Sequence, residues 1–320
     1  MESRRKIIIV LGPTSSGKSD VAIRLARKFN GEIISADSRQ IYKGMDIGTG
    51  KVPRDSVGIR SLRKGSDPYI SAVIPHYLID IINPKTNFSA AQFKKKAEKI
   101  IEDIIKRGKT PIICGGTGFW IKAVVDNVEF PEVKPDRELR KRLGKESAEK
   151  LFLMLQKLDP ERSKNIDAKN PVRLIRAIEI CKAIGKVPKI SEPKGSDPYG
   201  VGIGSLQFLQ IGIDIPKEKL HGKIKKRLDK RWEQGMIKEI KELKEEYKLS
   251  WKKIQSFGLG YYWIPLFLQN KISKEELHER VYLAEKDYAK RQMTWFKRDK
   301  RIKWLKNYKQ IEAEAEKFLN

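Results

Sequence analysis

Residues 6–29 read KIIIVLGPTSSGKSDVAIRLARKF, and this stretch decides the fold. Its first part, Lys6 to Leu11, is a short, continuous run of mostly β-branched residues, which is typical of a strand buried on both faces. Beyond the polar loop that follows, apolar residues recur at helical spacing, at Val21, Ala22, Leu25, Ala26 and Phe29. The stretch therefore predicts a strand, a glycine-rich loop and a helix, in that order.

The loop between this strand and this helix has the form Gly-xxxx-Gly-Lys-Ser. This is the pattern of the phosphate-binding P-loop, and a strand before it and a helix after it are the context that supports the match. Glycines let the backbone close around an anion, while N–H groups and the helix N-terminus point at phosphate oxygens. Lys18 adds a positive charge, and the Ser19 hydroxyl is the candidate ligand for Mg²⁺. The candidate diphosphate- or nucleotide-binding residues are Gly12, Pro13, Thr14, Ser15, Ser16, Gly17, Lys18 and Ser19.

Further strands and helices extend this pattern. Strands are predicted at Glu32 to Ala36, Tyr77 to Ile82 and Thr110 to Cys114, and a basic amphipathic helix at Ser89 to Arg107. Strands that alternate with helices predict a parallel sheet covered by helices. The fold class is therefore α/β, with a P-loop NTPase-like parallel sheet flanked by helices.

The pattern changes near Asp126. From Pro135 to about Lys186 the chain is helical and charged, and a loop rich in Gly, Pro and Ser follows up to Gly204. Strand character resumes at Leu206 to Ile215, and long basic helices are predicted at Lys217 to Tyr247 and Ser273 to about Lys297. We therefore predict a discontinuous catalytic core of residues 1–126 and 201–320, interrupted by a helical insertion domain of residues 127–200.

Polar segments follow the predicted strands at their carboxyl ends, where open α/β sheets bind ligands. In SADSRQ, residues 35–40, Asp37 is a candidate general base or indirect magnesium ligand. In GGTG, residues 115–118, the glycines permit close backbone approach and Thr117 supplies a hydroxyl. A turn aspartate and a structural turn explain these residues equally well at this point. Asp80 is likewise either a Walker B-like magnesium ligand or a strand-terminal aspartate.

The formal net charge of +27 predicts a field that attracts polyanions, although a generally lysine-rich proteome is an alternative explanation. Asn170 and Pro171 mark a helix start. Arg173 and Arg176 lie three residues apart on its first turns, so they share a face of the helix. The helix dipole favours acidic residues at this end and does not explain two arginines. They are therefore either phosphate contacts or part of a solvated charged face. Outward basic residues also suit RNA in two further stretches, Lys219 to Arg231 and Lys290 to Lys303.

Cys114 and Cys181 are the two cysteines, and neither belongs to a metal-binding pattern. We read them as reduced thiols of a cytoplasmic protein. The apolar run Ile7 to Leu11 is too short for the core of a signal peptide, and no stretch approaches the length of a membrane span. We expect a monomeric cytoplasmic protein that does not enter a membrane.

Several of these segments together resemble the tRNA dimethylallyltransferase family, also called tRNA isopentenyltransferases. The resemblance covers nearly the whole chain, and its most specific segments are ISADSRQIYKGMDIGTGK at 34–51 and GGTGFWIKAV at 115–124. It also includes GPTSSGKS at 12–19, PHYLIDI at 75–81, NPVRLIRAIEI at 170–180, LHGKIKKRLDKRWEQG at 220–235 and KRQMTWFKR at 290–298.

This family transfers a dimethylallyl group from dimethylallyl diphosphate to the exocyclic amine of the adenosine just 3′ of the tRNA anticodon. The resemblance implies that Asp37 is the general base on that amine, that Thr117 and Arg227 contact the leaving diphosphate, and that residues 14–19 hold it. It implies tRNA contacts at Asp37, Ser38, Arg39, Gln40, Arg140, Val172, Arg173, Leu174, Ile175 and Arg176. The chain departs from the family at Tyr77, where a histidine is common, and in the long basic segment Val52 to Ile74.

Two other hypotheses use the same motifs differently. A P-loop small-molecule or nucleoside kinase would turn over ATP, but it would not need a charge of +27. A non-enzymatic, nucleotide-regulated RNA-binding protein would use the charge, but it would leave Asp37, Thr117 and Arg227 unexplained.

Overall fold

The computed structural model describes residues 5–55, 68–188 and 206–320. Its strands are β1 (Arg5–Leu11), β2 (Gly31–Ser35), β3 (Tyr69–Ser71), β4 (Ile74–Tyr77), β5 (Thr110–Gly115), β6 (Leu206–Ile213) and β7 (Lys303–Leu305). They form one seven-stranded sheet in the order β3-β4-β2-β5-β1-β6-β7. All neighbours are parallel except β3 and β4, which are antiparallel. The predicted α/β class with a mainly parallel sheet is confirmed.

The helices are α1 (Lys18–Lys28), α2 (Ala90–Lys106), α3 (Gly118–Val125), α4 (Arg137–Leu143), α5 (Ala148–Leu158), α6 (Pro160–Ser163), α7 (Pro171–Ile184), α8 (Lys217–Glu233), α9 (Met236–Glu245), α10 (Trp251–Gln255), α11 (Gly260–Leu268), α12 (Lys274–Phe296) and α13 (Tyr308–Leu319). Within the described ranges, no helix is both long and apolar enough to cross a membrane.

The chain divides into two compact units. The first comprises Met1–Asn127 and Pro193–Asn320 and contains the sheet, and the second comprises Val128–Glu192 and is helical. The first boundary lies one residue from the predicted one, while the predicted boundary at 200/201 lies outside the described residues. Residues 56–67 of the unusual segment Val52 to Ile74 also lie outside them.

The interior strand β1, between β5 and β6, is buried on both faces, as its continuous apolar run predicts. Ile7, Ile9 and Leu11 belong to one hydrophobic cluster, and Ile8 and Val10 to another. The first cluster includes residues of α2, α3, α8, α9, α11 and α12, and the second includes residues of α1 and α13. Because side chains alternate along a strand, this division places helices against both faces of the sheet.

Two predicted elements are wrong in their extent. The strand predicted at Tyr77 to Ile82 ends at Tyr77, because Leu78 and Asp80 have left-handed backbone, with φ of 61° and 56°. The single helix predicted over Lys217 to Tyr247 is two helices, separated where Gly235 adopts a φ of 93°. The apolar periodicity of the sequence does not reveal this break, because both helices bury apolar residues at similar spacing.

Candidate active site

The order of the sheet brings the predicted motifs to one edge. Strands β2, β5 and β1 are adjacent and parallel, so the segments that follow them leave the sheet at the same end. The Ala36 N–H donates to the carbonyl of Cys114 at 2.8 Å, and the Thr117 N–H donates to that of Ala36 at 3.1 Å. The segment around Asp37 and the GGTG loop are therefore joined beside the P-loop.

A cavity of about 1200 Å³ opens at this edge. Its walls come from the P-loop, residues 37–40, residues 46–54, the basic face of α8 and the middle of α12. This volume exceeds that of typical small-molecule pockets, roughly 300–1,000 Å³. The cavity is therefore large enough to hold a diphosphate together with a second group.

The P-loop has the backbone that its sequence predicts. Gly17 adopts left-handed geometry at the N-terminal end of α1, with a φ of 93°, and no side chain caps this helix. Within the described residues, the first N–H groups of α1 are therefore left without a side-chain cap, as in an anion-binding helix terminus. The Ser16 hydroxyl is buried and has no hydrogen-bond partner within the described part of the chain.

Two partly buried cations face this loop. Lys18 Nζ donates to the Pro13 carbonyl at 3.3 Å, and Arg227 donates to Thr14 Oγ1 at 3.3 Å. Burial lowers the pKa of Lys18, and burial together with the charge of Arg231 lowers the pKa of Arg227 to about 10. Lowered pKa values of bases indicate that their positive charges are incompletely compensated. An anion bound in the loop would supply that compensation.

Asp37 lines the same cavity. One of its carboxylate oxygens accepts the N–H groups of Arg39 and Gln40, at 2.9 and 3.4 Å. The turn role considered from the sequence is therefore present, and it engages only Oδ1. The residues beside Asp37 are also engaged, because Arg39 donates to the Phe257 carbonyl at 2.8 Å and Gln40 to that of Gly50 at 3.3 Å.

Thr117 lies beside the cavity, but it is not one of the residues that line it. Its hydroxyl accepts the N–H of Ser38 at 3.0 Å. The structure therefore gives Thr117 a role in fixing the residue next to Asp37. Its contact with a leaving diphosphate stays a prediction.

Asp80 does not face the cavity. It accepts a short hydrogen bond from Lys51, whose ammonium also contacts Asp46 at 2.6 Å. The Walker B-like explanation of Asp80 loses its support, since this carboxylate already compensates a buried lysine. Asp80 is also not at the end of a strand, because β4 ends three residues earlier.

Two residues of α12 that the sequence did not single out also shape the site. The Gln292 side chain accepts the Thr14 N–H at 2.7 Å and donates to the Gly116 carbonyl at 2.9 Å, so it ties the P-loop to the GGTG loop. Tyr288 lines the cavity, and burial together with the charge of Asp37 raises its pKa. The helical periodicity of α12 contained the only available signal, because Glu285, Tyr288 and Gln292 lie at spacings of three and four.

The helical unit contains the other predicted tRNA contacts. Arg140 donates to Glu179 at 2.8 and 2.7 Å, and Arg176 also contacts this buried carboxylate. Burial alone would raise the pKa of Glu179, but hydrogen bonds from the two arginines lower it. Both arginines therefore have structural partners already.

The first turns of α7 divide by exposure. Val172 is 78% exposed and Arg173 is exposed, whereas the side chain of Leu174 is fully buried in the hydrophobic core of this unit. Ile175 is partly buried against the same core. Any contact of Leu174 with tRNA would therefore have to use its backbone.

Comparison with known proteins gives consistent matches. The family described as IPP transferase matches residues 40–299, and the family described as isopentenyl transferase matches residues 5–62. A tRNA dimethylallyltransferase of Halothermothrix orenii is 38% identical, over 98% of this chain and 92% of that protein. Neither finding supports the kinase alternative.

Solved structures agree. A tRNA delta(2)-isopentenylpyrophosphate transferase from Staphylococcus epidermidis is 35% identical with a TM-score of 0.64, covering 98% of this chain and 99% of that one. A eukaryotic dimethylallyltransferase acting on tRNA is 27% identical with a TM-score of 0.69, covering 91% of this chain and 69% of that one. With a family match over most of its length and close relatives over nearly all of it, the chain belongs to the IPP transferase family, whose members include the tRNA dimethylallyltransferases.

Proposed function

We propose that this protein transfers a dimethylallyl group from dimethylallyl diphosphate to the exocyclic amine of the adenosine 3′-adjacent to the tRNA anticodon, releasing diphosphate. The observation that carries this proposal is the cavity in which Lys18 and Arg227, two under-compensated cations, share a wall with Asp37. This arrangement suits an anionic leaving group on one side and a proton acceptor on the other.

The reaction forms one bond and breaks one. The adenosine nitrogen attacks the first carbon of the dimethylallyl group, and the carbon–oxygen bond to the diphosphate breaks with its electron pair passing to the diphosphate. The amine loses one proton, which we assign to Oδ2 of Asp37, the oxygen that does not accept the turn N–H groups. An exocyclic amine is a weak nucleophile, so a base positioned near it helps as the bond forms.

Negative charge grows on the diphosphate oxygens as it leaves. Lys18, the P-loop N–H groups and Arg227 would stabilise that charge, with Thr117 as a further predicted partner. The contacts of Lys18 and Arg227 with the P-loop support these roles. Because these cations lie in a partly desolvated cavity, their effect on the leaving group is larger than in water.

The proposal includes Mg²⁺, which would help neutralise the diphosphate. In the described residues no cluster of three or more His, Cys, Asp or Glu side chains could hold a metal ion. This fits Mg²⁺, which commonly binds through one or two protein oxygens, substrate phosphates and water. Ser19 and, through water, Asp37 offer such oxygens at the cavity wall.

The nucleophile is a base of a large polyanion, and the net charge of +27 suits it. The target adenosine would leave its stack to enter the cavity, as base-modifying enzymes generally require. The exposed Val172 and Arg173 are the best placed of the predicted contacts in the helical unit. We further propose that the protein is a monomer of the cytoplasm, where its free thiols Cys114 and Cys181 would stay reduced.

The test is direct. The protein is incubated with labelled dimethylallyl diphosphate, Mg²⁺ and unmodified tRNA that has adenosine on the 3′ side of the anticodon. We expect label in the tRNA at that adenosine and release of diphosphate. A tRNA in which this adenosine is replaced by guanosine is the control. Absence of label from the adenosine-containing tRNA would overturn the proposal.

A further inference from the structure

One buried carboxylate near the cavity is not used by the reaction. Glu239, on α9, is only 6% exposed. Its Oε2 accepts the N–H groups of Asp46 and Ile47, each at 2.6 Å, and its Oε1 accepts the Gly48 N–H at 3.0 Å. Oε1 also accepts the hydroxyl of Tyr261 at 2.7 Å. Four donors thus converge on a single side chain.

The segment that Glu239 holds forms part of the cavity wall. Asp46 to Gly50 line the cavity, and the segment is closed by a hydrogen bond from the Gly50 N–H to the Ile47 carbonyl at 3.0 Å. The Gly50 carbonyl accepts Arg227 Nη2 at 3.0 Å and Gln40 Nε2 at 3.3 Å. This carbonyl therefore holds the guanidinium that faces the P-loop and a side chain next to Asp37.

The backbone of this segment lies close to the side chains of Tyr261 and Arg227. A Cβ atom on Gly48 would lie 2.5 Å from the Tyr261 hydroxyl, and one on Gly50 would lie 1.9 Å from Arg227 Nη2. The glycines therefore let the backbone approach both partners. A shift of the segment would carry the Gly50 carbonyl away from Arg227.

We propose that Glu239 is a positioning residue for the transfer reaction, which fixes Arg227 against the leaving diphosphate by clamping residues 46–50. Tyr261 completes the clamp by donating to the same carboxylate. The inference rests on the proposed function, because it assigns Arg227 to the diphosphate. It adds a chain of contacts from α9, through the backbone of 46–50, to that arginine.

Glu239→Gln tests the clamp with little change in volume. A carboxylate offers acceptor oxygens to all four donors, whereas a glutamine turns one oxygen into an NH₂ group that must face an N–H group. At least one side of the clamp must open. Glu242→Gln on the same helix is the matched control, because Glu242 is 44% exposed and pairs only loosely with Lys238, at 3.7 Å.

The first readout is the affinity for inorganic diphosphate in the presence of Mg²⁺, measured by calorimetry. We expect Glu239→Gln to weaken it about tenfold and to lower the kcat of prenyl transfer roughly 10- to 100-fold, as for a misplaced catalytic group. The KM for tRNA should stay within about twofold of wild type. Equal diphosphate affinity and equal kcat per folded molecule in Glu239→Gln and Glu242→Gln would overturn the inference.

A double-mutant cycle shows whether the effect passes through Arg227. In an Arg227→Gln background, Glu239→Gln should cause little further loss of diphosphate affinity, since the group it positions is already gone. Full additivity would contradict the proposal. If Glu239→Gln does not fold, Tyr261→Phe removes one donor only and should weaken diphosphate binding by a few-fold, while an unchanged affinity would count against the clamp. A wild-type protein that binds diphosphate but fails to prenylate tRNA would refute the proposed function. The diphosphate affinities of the variants would still show whether Glu239 positions Arg227.

Discussion

The two ends of the sheet treat buried charge in opposite ways. At the amino end of β2, Glu32 is 2% exposed and accepts two hydrogen bonds from Arg107, at 2.6 Å each, one from Lys109 at 2.7 Å and one from Tyr77 at 2.8 Å. At the carboxyl ends of the strands, Lys18 and Arg227 have lowered pKa values. Direct ion pairs compensate the charges of the first cluster, whereas within the described residues neither Lys18 nor Arg227 forms an ion pair with a carboxylate.

This difference separates a stabilising charge cluster from a functional one. Burial alone would raise the pKa of Glu32, but its hydrogen bonds from Arg107, Lys109 and Tyr77 lower it to about 2. Such a group contributes to folding stability. For the cations at the other end, burial outweighs the compensation from nearby carboxylates, and a bound anion would offset the rest, which is the pattern of a binding site. Tyr77 belongs to the stabilising cluster.

The largest expected effect comes from removing the carboxylate of Asp37, at the carboxyl ends of the strands. Asp37→Asn keeps an oxygen that can accept the Arg39 and Gln40 N–H groups, so the turn should survive. We expect prenyl transfer to fall roughly 10²- to 10⁴-fold because the proton acceptor is lost, with diphosphate binding largely kept. Rates, diphosphate affinity and melting temperature are measured together. Transfer near the wild-type rate would show that Asp37 is only a turn residue.

The next effect concerns the under-compensated arginine. Arg227→Gln should lower prenyl transfer about 10²- to 10³-fold, as for loss of one donor to a developing anion. The ligand-free protein should be no less stable than wild type, because the variant no longer buries that charge. Diphosphate should raise the melting temperature of the wild type more than that of the variant. A large loss of stability in the ligand-free variant would place Arg227 with the compensated charges and break the comparison.

Glu32→Gln tests the other end of the sheet. A carboxylate whose pKa falls from 4.5 to about 2 on folding contributes about 3 kcal/mol of stability at neutral pH. Because the folded pKa is the lower one, this contribution is complete above pH 4.5 and disappears as the pH falls towards about 2. Urea denaturation of the two proteins at pH 7 and at lower pH should show the gap closing.

The control for that experiment is Glu312→Gln, which removes a partly exposed partner of Lys28 at 3.4 Å. It should change stability by less than about 1 kcal/mol at any pH. Prenyl transfer by folded Glu32→Gln should equal that of wild type. A selective loss of activity in Glu32→Gln would mean that the amino end also serves the reaction.

The site at the carboxyl ends of the strands can be predicted from the sequence better than the charge cluster around Glu32. The strand, P-loop and helix at 6–29 are contiguous, so local pattern suffices to place Lys18 and Ser19. Asp37 and Thr117 follow because parallel strands end at a common edge. Glu32, by contrast, contacts Arg107 and Tyr77 only because the order of strands in the sheet brings these distant residues together. Sequence periodicity does not specify which charged residues become neighbours.

The same reason explains the remaining errors. The mostly apolar segment 77–82 predicts a strand, but Leu78 and Asp80 within it have left-handed backbone. This conformation goes with tertiary contacts such as that between Asp80 and Lys51, which a local pattern does not show. Gln292 lay within a basic stretch that suggested RNA, and its bridging role depends on contacts with residues more than 170 positions away. Long-range polar contacts of this kind leave little trace in a single sequence.

An effect on transfer smaller than those at Asp37 and Arg227 concerns this bridge. Gln292→Ala would leave the Thr14 N–H and the Gly116 carbonyl without their buried partner, which costs about 1–3 kcal/mol of stability. Prenyl transfer should fall by roughly tenfold, since the P-loop is held less firmly beside the GGTG loop. Thr294→Ala, on the exposed side of α12, is the matched control and should leave both quantities within experimental error. If Gln292→Ala lost stability and yet kept full activity per folded molecule, the bridge would belong with Glu32 among the stabilising contacts, and buried polar groups at the carboxyl end would not all serve the reaction.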